Sequence, residues 1–133
     1  MKASVLHKFR TPPNFEEVDD PLCRPKSVVV ELKACGVCRS DHHAWLGNDP
    51  DVELPHIMGH ELAGVIVEIG SEIKEFSVGD RVTVPFILGC GLCSDCQTGN
   101  STICDNQETI GFTIRGGFAQ FVEIRFADFN LVS

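Results

Sequence analysis

The 133-residue sequence predicts a mainly β, barrel-like domain with short helices. Three observations predict it. Short runs of β-branched residues recur at regular spacing between glycine- and proline-rich turns. Val28 to Ala34 alternates: Val28, Val30, Leu32 and Ala34 share one face, while Glu31 and Lys33 point the other way. Leu62 to Ile69 is apolar on both faces, as suits a strand inside a closed barrel or under a second layer. The length fits one domain, and a hydrophobic content of 43% is enough for a core.

In chain order, residues 3–8 alternate weakly and read as a first strand, broken by Thr11-Pro12-Pro13-Asn14. Phe15 to Pro21 is acidic and reads as a solvated edge strand and turn. Cys23 has no nearby partner of metal-ligand type, and Pro25-Lys26-Ser27 leads into the alternating strand. Residues 41–46 then read as a short helix with Ser40 as N-cap and Gly47 past its end. That places Cys38 at a strand-to-helix junction, facing a cleft. Asn48 to Pro55 is loop, and His56 to Glu61 leads into the 62–69 strand. Gly70-Ser71 and Val78-Gly79-Asp80 are turns, Arg81 to Phe86 is a strand ending at Pro85, and Gly116 to Ile124 is a late strand. Residues 127–133 trail off.

The formal charge of −8 and the pI near 5.0 argue against sequence-independent nucleic-acid binding and against an anionic membrane partner, both of which need a basic surface. No apolar run approaches the ~20 residues of a membrane helix. The N-terminus lacks the apolar core of a signal peptide, so a cytoplasmic protein is expected, with its seven cysteines bound to metal or kept as thiols.

Four of those cysteines, Cys90, Cys93, Cys96 and Cys104, fall within one lobe spanning 89–105. Gly89, Gly91 and Gly99 allow the sharp turns that bring sulfurs close in sequence together, and Ser94 can cap a helical turn that Gly99 ends. The spacing points to one tetrahedral ion in a closed Cys₄ shell, which Zn²⁺ prefers. A disulfide framework would want an even cysteine count and a secretory signal. A ferredoxin run would continue with three residues, then Cys-Pro; here seven residues intervene and Asp105 follows Cys104. A redox Cys-x-x-Cys would not need four thiols. A closed shell leaves no position for substrate, so the lobe metal is structural.

Cys38, His60 and Glu61 lie on two loops that flank strands. Together they offer sulfur, nitrogen and oxygen to one metal with an open position, the pattern of a catalytic zinc. Adjacent His60 and Glu61 do not both bind ideally, so one of them is an outer or alternate ligand.

Gly36-Val37-Cys38-Arg39-Ser40-Asp41-His42-His43, Gly59-His60-Glu61-Leu62-Ala63-Gly64, Val78-Gly79-Asp80-Arg81-Val82 and the four-cysteine lobe stand in the order found in the medium-chain, zinc-dependent alcohol dehydrogenases. The sequence resembles that family over nearly its whole length. The resemblance implies the GroES-like barrel of those enzymes' substrate half, and oxidation of a small alcohol to an aldehyde or ketone by hydride transfer to NAD(P). It implies that Cys38 and His60 ligate catalytic zinc, with Glu61 the carboxylate beside it, and that Cys90, Cys93, Cys96 and Cys104 hold structural zinc. It also implies that Asp41 orients His60, that Ser40 and His43 relay the proton, and that Arg39 touches the cofactor's phosphates. Trp45 and Phe86 suit either the substrate pocket or core packing. Cys35 reads as a buried small residue, and His7, His42 and His56 as surface.

The sequence departs from the family in length. It has no Gly-x-Gly-x-x-Gly in a strand-to-helix context, so a Rossmann cofactor domain is not expected within residues 1–133. The family's remaining catalytic-zinc ligand, a Cys or Asp, also falls downstream. The expectation is therefore an N-terminal piece that binds structural zinc, does not reduce NAD alone, and assembles as a homo-oligomer when full length. The alternatives are a non-catalytic zinc-binding GroES-like module used for assembly, and a related enzyme acting on polyols, aldehydes or thiol adducts. The residue that would choose NAD over NADP is not in the sequence.

Overall fold

The computed structural model describes residues 1–133. Eight strands and three short helices follow one another: β1 (Lys2–Val5), β2 (Asn14–Glu17), β3 (Ser27–Gly36), α1 (Arg39–Trp45), β4 (Glu61–Ile69), β5 (Arg81–Thr83), β6 (Ile87–Leu88), α2 (Ser94–Gln97), β7 (Glu108–Thr109), β8 (Phe121–Arg125) and α3 (Ala127–Asn130). The mainly β expectation holds. The strands do not close into a barrel. A four-stranded antiparallel sheet, ordered β5-β4-β3-β8, is flanked by the two-stranded pairs β1-β2 and β6-β7. Single bridges at Ala3–Ala119, Leu6–His56 and Thr83–Val132 tie the pieces together.

Burial explains the open arrangement. In β4 the inward residues Leu62 and Ile66 are buried, but Val67 and Ile69 are each 39% exposed. This strand therefore packs on one face, although its residues are apolar on both. The inward face joins Val28, Val30, Val82, Val122 and Ile124 in the main core, where each buried aliphatic side chain contributes roughly 1.5–3 kcal/mol. The alternation read in β3 is broken by register shifts between Val29 and Val30 and between Leu32 and Ala34. A bulge turns a strand's faces, so Val29 is buried and Ala34 exposed.

Other boundaries move for local reasons. The first strand ends at Val5, and Leu6 continues it only as a bridge to His56. The late strand starts at Phe121 instead of Gly116 because residues 116–118 spend their N–H groups on another loop: Gly116 N–H on the Ile57 carbonyl (2.7 Å), Gly117 N–H on Gly59 (2.8 Å) and Phe118 N–H on Met58 (2.9 Å). Residues 127–130 form α3, whose Asn130 side chain pairs both ways with the Gly89 backbone at 3.0 and 2.9 Å. No helix is long and apolar enough to cross a membrane.

His56, read from sequence as surface, is 7% exposed, because its backbone pairs with Leu6 in both directions and carries the ring inward. Burial pushes its imidazole below the ordinary value of 6.5. The unfolded chain therefore binds the extra proton first, and stability is lost as pH falls through about 6.5. Denaturation midpoints at pH 7.5 and pH 5.5 should differ more in the wild type than in His56→Gln. Equal differences would show that His56 contributes nothing to the acid limb.

Candidate metal centres

The lobe is built from tight turns that aim sulfurs inward. Cys93, not Ser94, occupies the N-cap of α2, and its sulfur accepts the Cys96 N–H at 3.5 Å. Gly99 follows the helix with φ of +86°, the left-handed conformation that suits glycine past a helix end. Cys90 Sγ lies 4.0 Å from Cys96 Sγ, and Cys93 Sγ 3.8 Å from Cys104 Sγ. A tetrahedron with ~2.3 Å metal–sulfur bonds has edges of about 3.8 Å, so one ion fits the four sulfurs. Disulfides would need about 2.05 Å. An iron–sulfur cluster would hold the cysteines further apart with its own atoms.

The chemistry of the donors agrees. Backbone N–H groups of Leu92 and Cys93, each 3.4 Å from Cys90 Sγ, pull that thiol down to about 6. Desolvation, followed by the neighbouring cysteines, pushes Cys96 up to about 12. Four sulfurs this close, three of them buried, do not ionise together unless a cation joins them. The four cysteines could hold a metal ion.

The second cluster forms where β3, α1 and β4 meet. Donor atoms of Cys38, His60 and Glu61 lie within 4.8 Å of one another and could also hold a metal ion. Cys38, rather than Ser40, is the N-cap of α1, because Asp41 at the third helical position turns back and accepts the Cys38 N–H at 2.9 Å. This frees Ser40, whose Oγ lies 3.2 Å from His60 Nε2. Asp41 is 3% exposed. Its other oxygen accepts the Gly59 N–H at 3.1 Å and lies 3.3 Å from His60 Nδ1, out of hydrogen-bond alignment. A cation on Nε2 would place the ring proton on Nδ1, toward this carboxylate, so the donor set suits a metal.

His60 is fixed mostly through backbone. The clamp from 116–118 grips residues 57–59, and a Cβ on Gly116 would stand 2.2 Å from the Gly59 carbonyl oxygen. The His60 ring meets Phe86 edge-on at 4.9 Å and Phe112 at 5.5 Å. An open cavity of about 630 Å³ is lined by Ser40, His60, Glu61, Ala63, Thr83 and Phe86. Phe86, 42% exposed, thus lines the cavity. Trp45 packs instead with Leu6, Ala44 and Met58, and its Nε1 donates to the Thr11 carbonyl at 2.7 Å. A larger cleft, about 990 Å³, runs between Asp19 and Arg125 and contains none of these donors.

The remaining candidates sit as follows. Arg39 and His43 are exposed on α1; Arg39 makes no ion pair, and His43 makes no hydrogen bond to Ser40. His42 is exposed and stacks on Trp45 at 5.5 Å, and exposed His7 faces Glu16 at 2.9 Å. Cys35 is half-buried, and desolvation pushes its thiol up to about 11. Sequence reasoning missed Phe112, a buried wall behind His60; no periodic or motif signal marks it.

Residues 24–131 match the family model described as the alcohol dehydrogenase GroES-like domain. The chain belongs to that family. An alcohol dehydrogenase of Geobacillus stearothermophilus is 42% identical over 123 residues, covering 91% of this chain and 36% of the relative. An NAD-dependent alcohol dehydrogenase of Sulfolobus acidocaldarius is 34% identical over 92% of this chain and 37% of its own length. Among solved structures, the alcohol dehydrogenase from Thermus sp. ATN1 superposes with a TM-score of 0.92 at 29% identity, covering 99% of this chain and 39% of that one. That from Aeropyrum pernix gives 0.90 at 31%, again over 99% and 39%. The GroES-like expectation is thus met, and the chain spans just over a third of these relatives.

Proposed function

We propose that residues 1–133 are the substrate-side N-terminal domain of a zinc-dependent alcohol dehydrogenase that oxidises a small alcohol with NAD(P) in the longer protein. One observation carries the reading: Cys38 converges with His60 and Glu61, which line a cavity in which Ser40 Oγ lies 3.2 Å from His60 Nε2. Cys38, His60 and Glu61 would hold the catalytic zinc, and Cys90, Cys93, Cys96 and Cys104 the structural one. Bound at the Cys38–His60–Glu61 cluster, zinc would supply the Lewis acidity that lets a substrate hydroxyl give up its proton near neutral pH.

The chain's own residues do the rest. Ser40 Oγ accepts the substrate proton and passes it outward. His43, exposed one helical turn later, takes it from there through solvent. Asp41 keeps His60 oriented, Phe86 keeps water from one side of the cavity, and Arg39 stands free for a cofactor phosphate. In the full-length protein, Ser40→Ala should lower kcat about 10²- to 10³-fold while both metals stay bound. Turnover is read by NADH or NADPH absorbance, metal by elemental analysis. Unchanged kcat would remove Ser40 from the relay. Two metals with no turnover on any alcohol would favour a non-catalytic module used for assembly.

A further inference from the structure

We infer that Gly36 is a positioning residue: its bare α-carbon is the seat on which the Glu61 carboxylate rests beside Cys38 and His60. The inference builds on the reading of that cluster as a metal site. Gly36 and Glu61 stand directly opposite each other where β3 pairs with β4. A Cβ on Gly36 would lie 2.1 Å from Glu61 Oε2 and 3.1 Å from both Cβ and Cδ of the same side chain. The Glu61 side chain is therefore folded back across its partner, not directed away from the sheet. This fold-back puts a carboxylate oxygen within 4.8 Å of the Cys38 sulfur and a His60 nitrogen.

Backbone conformation does not explain the glycine. Gly36 is absent from the six glycines with positive φ, so an alanine meets no left-handed strain there. The obstruction also differs in kind from that at other glycines near the site. At Gly111 and Gly116 an added Cβ would strike the Gly59 backbone, which cannot give way. At Gly36 the three nearest atoms all belong to the Glu61 side chain: the carboxylate can swing into solvent, and the 3.1 Å approach to Cβ asks the strands to give by only a few tenths of an ångström. Gly36→Ala should thus leave the fold in place and remove one donor from the cluster.

The test titrates the full-length protein, its cysteine lobe preloaded with zinc, with Co²⁺, which reports its ligands through visible absorption. Cys38→Ser should abolish the second-site spectrum. Glu61→Gln and Gly36→Ala should each weaken Co²⁺ binding there about 10- to 100-fold. The double variant should be no weaker than either alone, since both remove the same carboxylate. Far-UV circular dichroism and the thermal midpoint should be unchanged in Gly36→Ala. Wild-type Co²⁺ affinity in Gly36→Ala beside a weakened Glu61→Gln overturns the role of Gly36 and leaves the metal site standing. Wild-type spectra in Cys38→Ser overturn the site itself. Unfolding of Gly36→Ala also overturns the inference, because the clash would then involve more than one mobile side chain.

Discussion

Cys104→Ser should release one zinc per chain and unfold the lobe while the main sheet persists. Cys104 is 1% exposed, and the lobe's own core is little more than Cys90, Cys96 and Cys104, with Cys93 and Phe126 beside them. No cluster of aliphatic side chains would hold these turns once the metal leaves. Structural zinc sites contribute about 10–16 kcal/mol in small peptides, as much as the whole stability of an ordinary domain, about 5–15 kcal/mol. The sheet has its own core of twelve buried residues and does not share that dependence. Elemental analysis would follow the zinc. Hydrogen exchange would show the amides of 89–105 losing protection while those of β3 and β4 keep theirs. Protected lobe amides in the zinc-free variant would mean that the turns are self-supporting.

The second large effect is expected at Asp41. This buried carboxylate accepts N–H groups from Cys38 and Gly59 and faces His60. Asp41→Ala leaves two backbone donors unpaired. An unpaired buried donor costs about 1–3 kcal/mol; the Gly59 N–H is buried and the Cys38 N–H part-buried, so a total loss of about 2–4 kcal/mol is expected. Asp41→Asn keeps one acceptor oxygen and should lose about half as much. Urea denaturation measures both variants, and equal stability of wild type and Asp41→Ala would show that the two N–H groups find other partners. Metal should also leave the Cys38–His60–Glu61 cluster in Asp41→Ala, because the same carboxylate fixes the loop on each side.

Much of this was legible in the sequence because short-range chemistry dictated it. The 28–34 and 62–69 strands, the helix ending before Gly47, and the four-cysteine lobe were all marked by periodicity or spacing. All seven donor residues fall into the two expected groups. The misreadings share one cause: a partner that residue preference does not reveal decided them, a local one at Asp41 and distant ones elsewhere. Ser40 is the better cap by preference, but Asp41 makes Cys38 the cap and leaves Ser40 facing His60. Gly116 to Ile124 reads as a strand, but the N–H groups of 116–118 serve residues 57–59 instead. His56 carries a polar ring that bridging to Leu6 draws inward. Choosing between Trp45 and Phe86 needed the cavity itself.

The two donor clusters close over very different lengths of chain. The lobe's four sulfurs come from Cys90 to Cys104, so closing them costs only the entropy of a short loop. The other cluster needs residues 38 and 60 brought together by sheet pairing, and then a clamp that closes the whole stretch from 60 to 116 around the lobe. A preorganised lobe shortens the disordered part of that stretch. The lobe therefore reports only on its own turns, whereas the Cys38–His60–Glu61 cluster exists only when distant parts of the chain have already found each other.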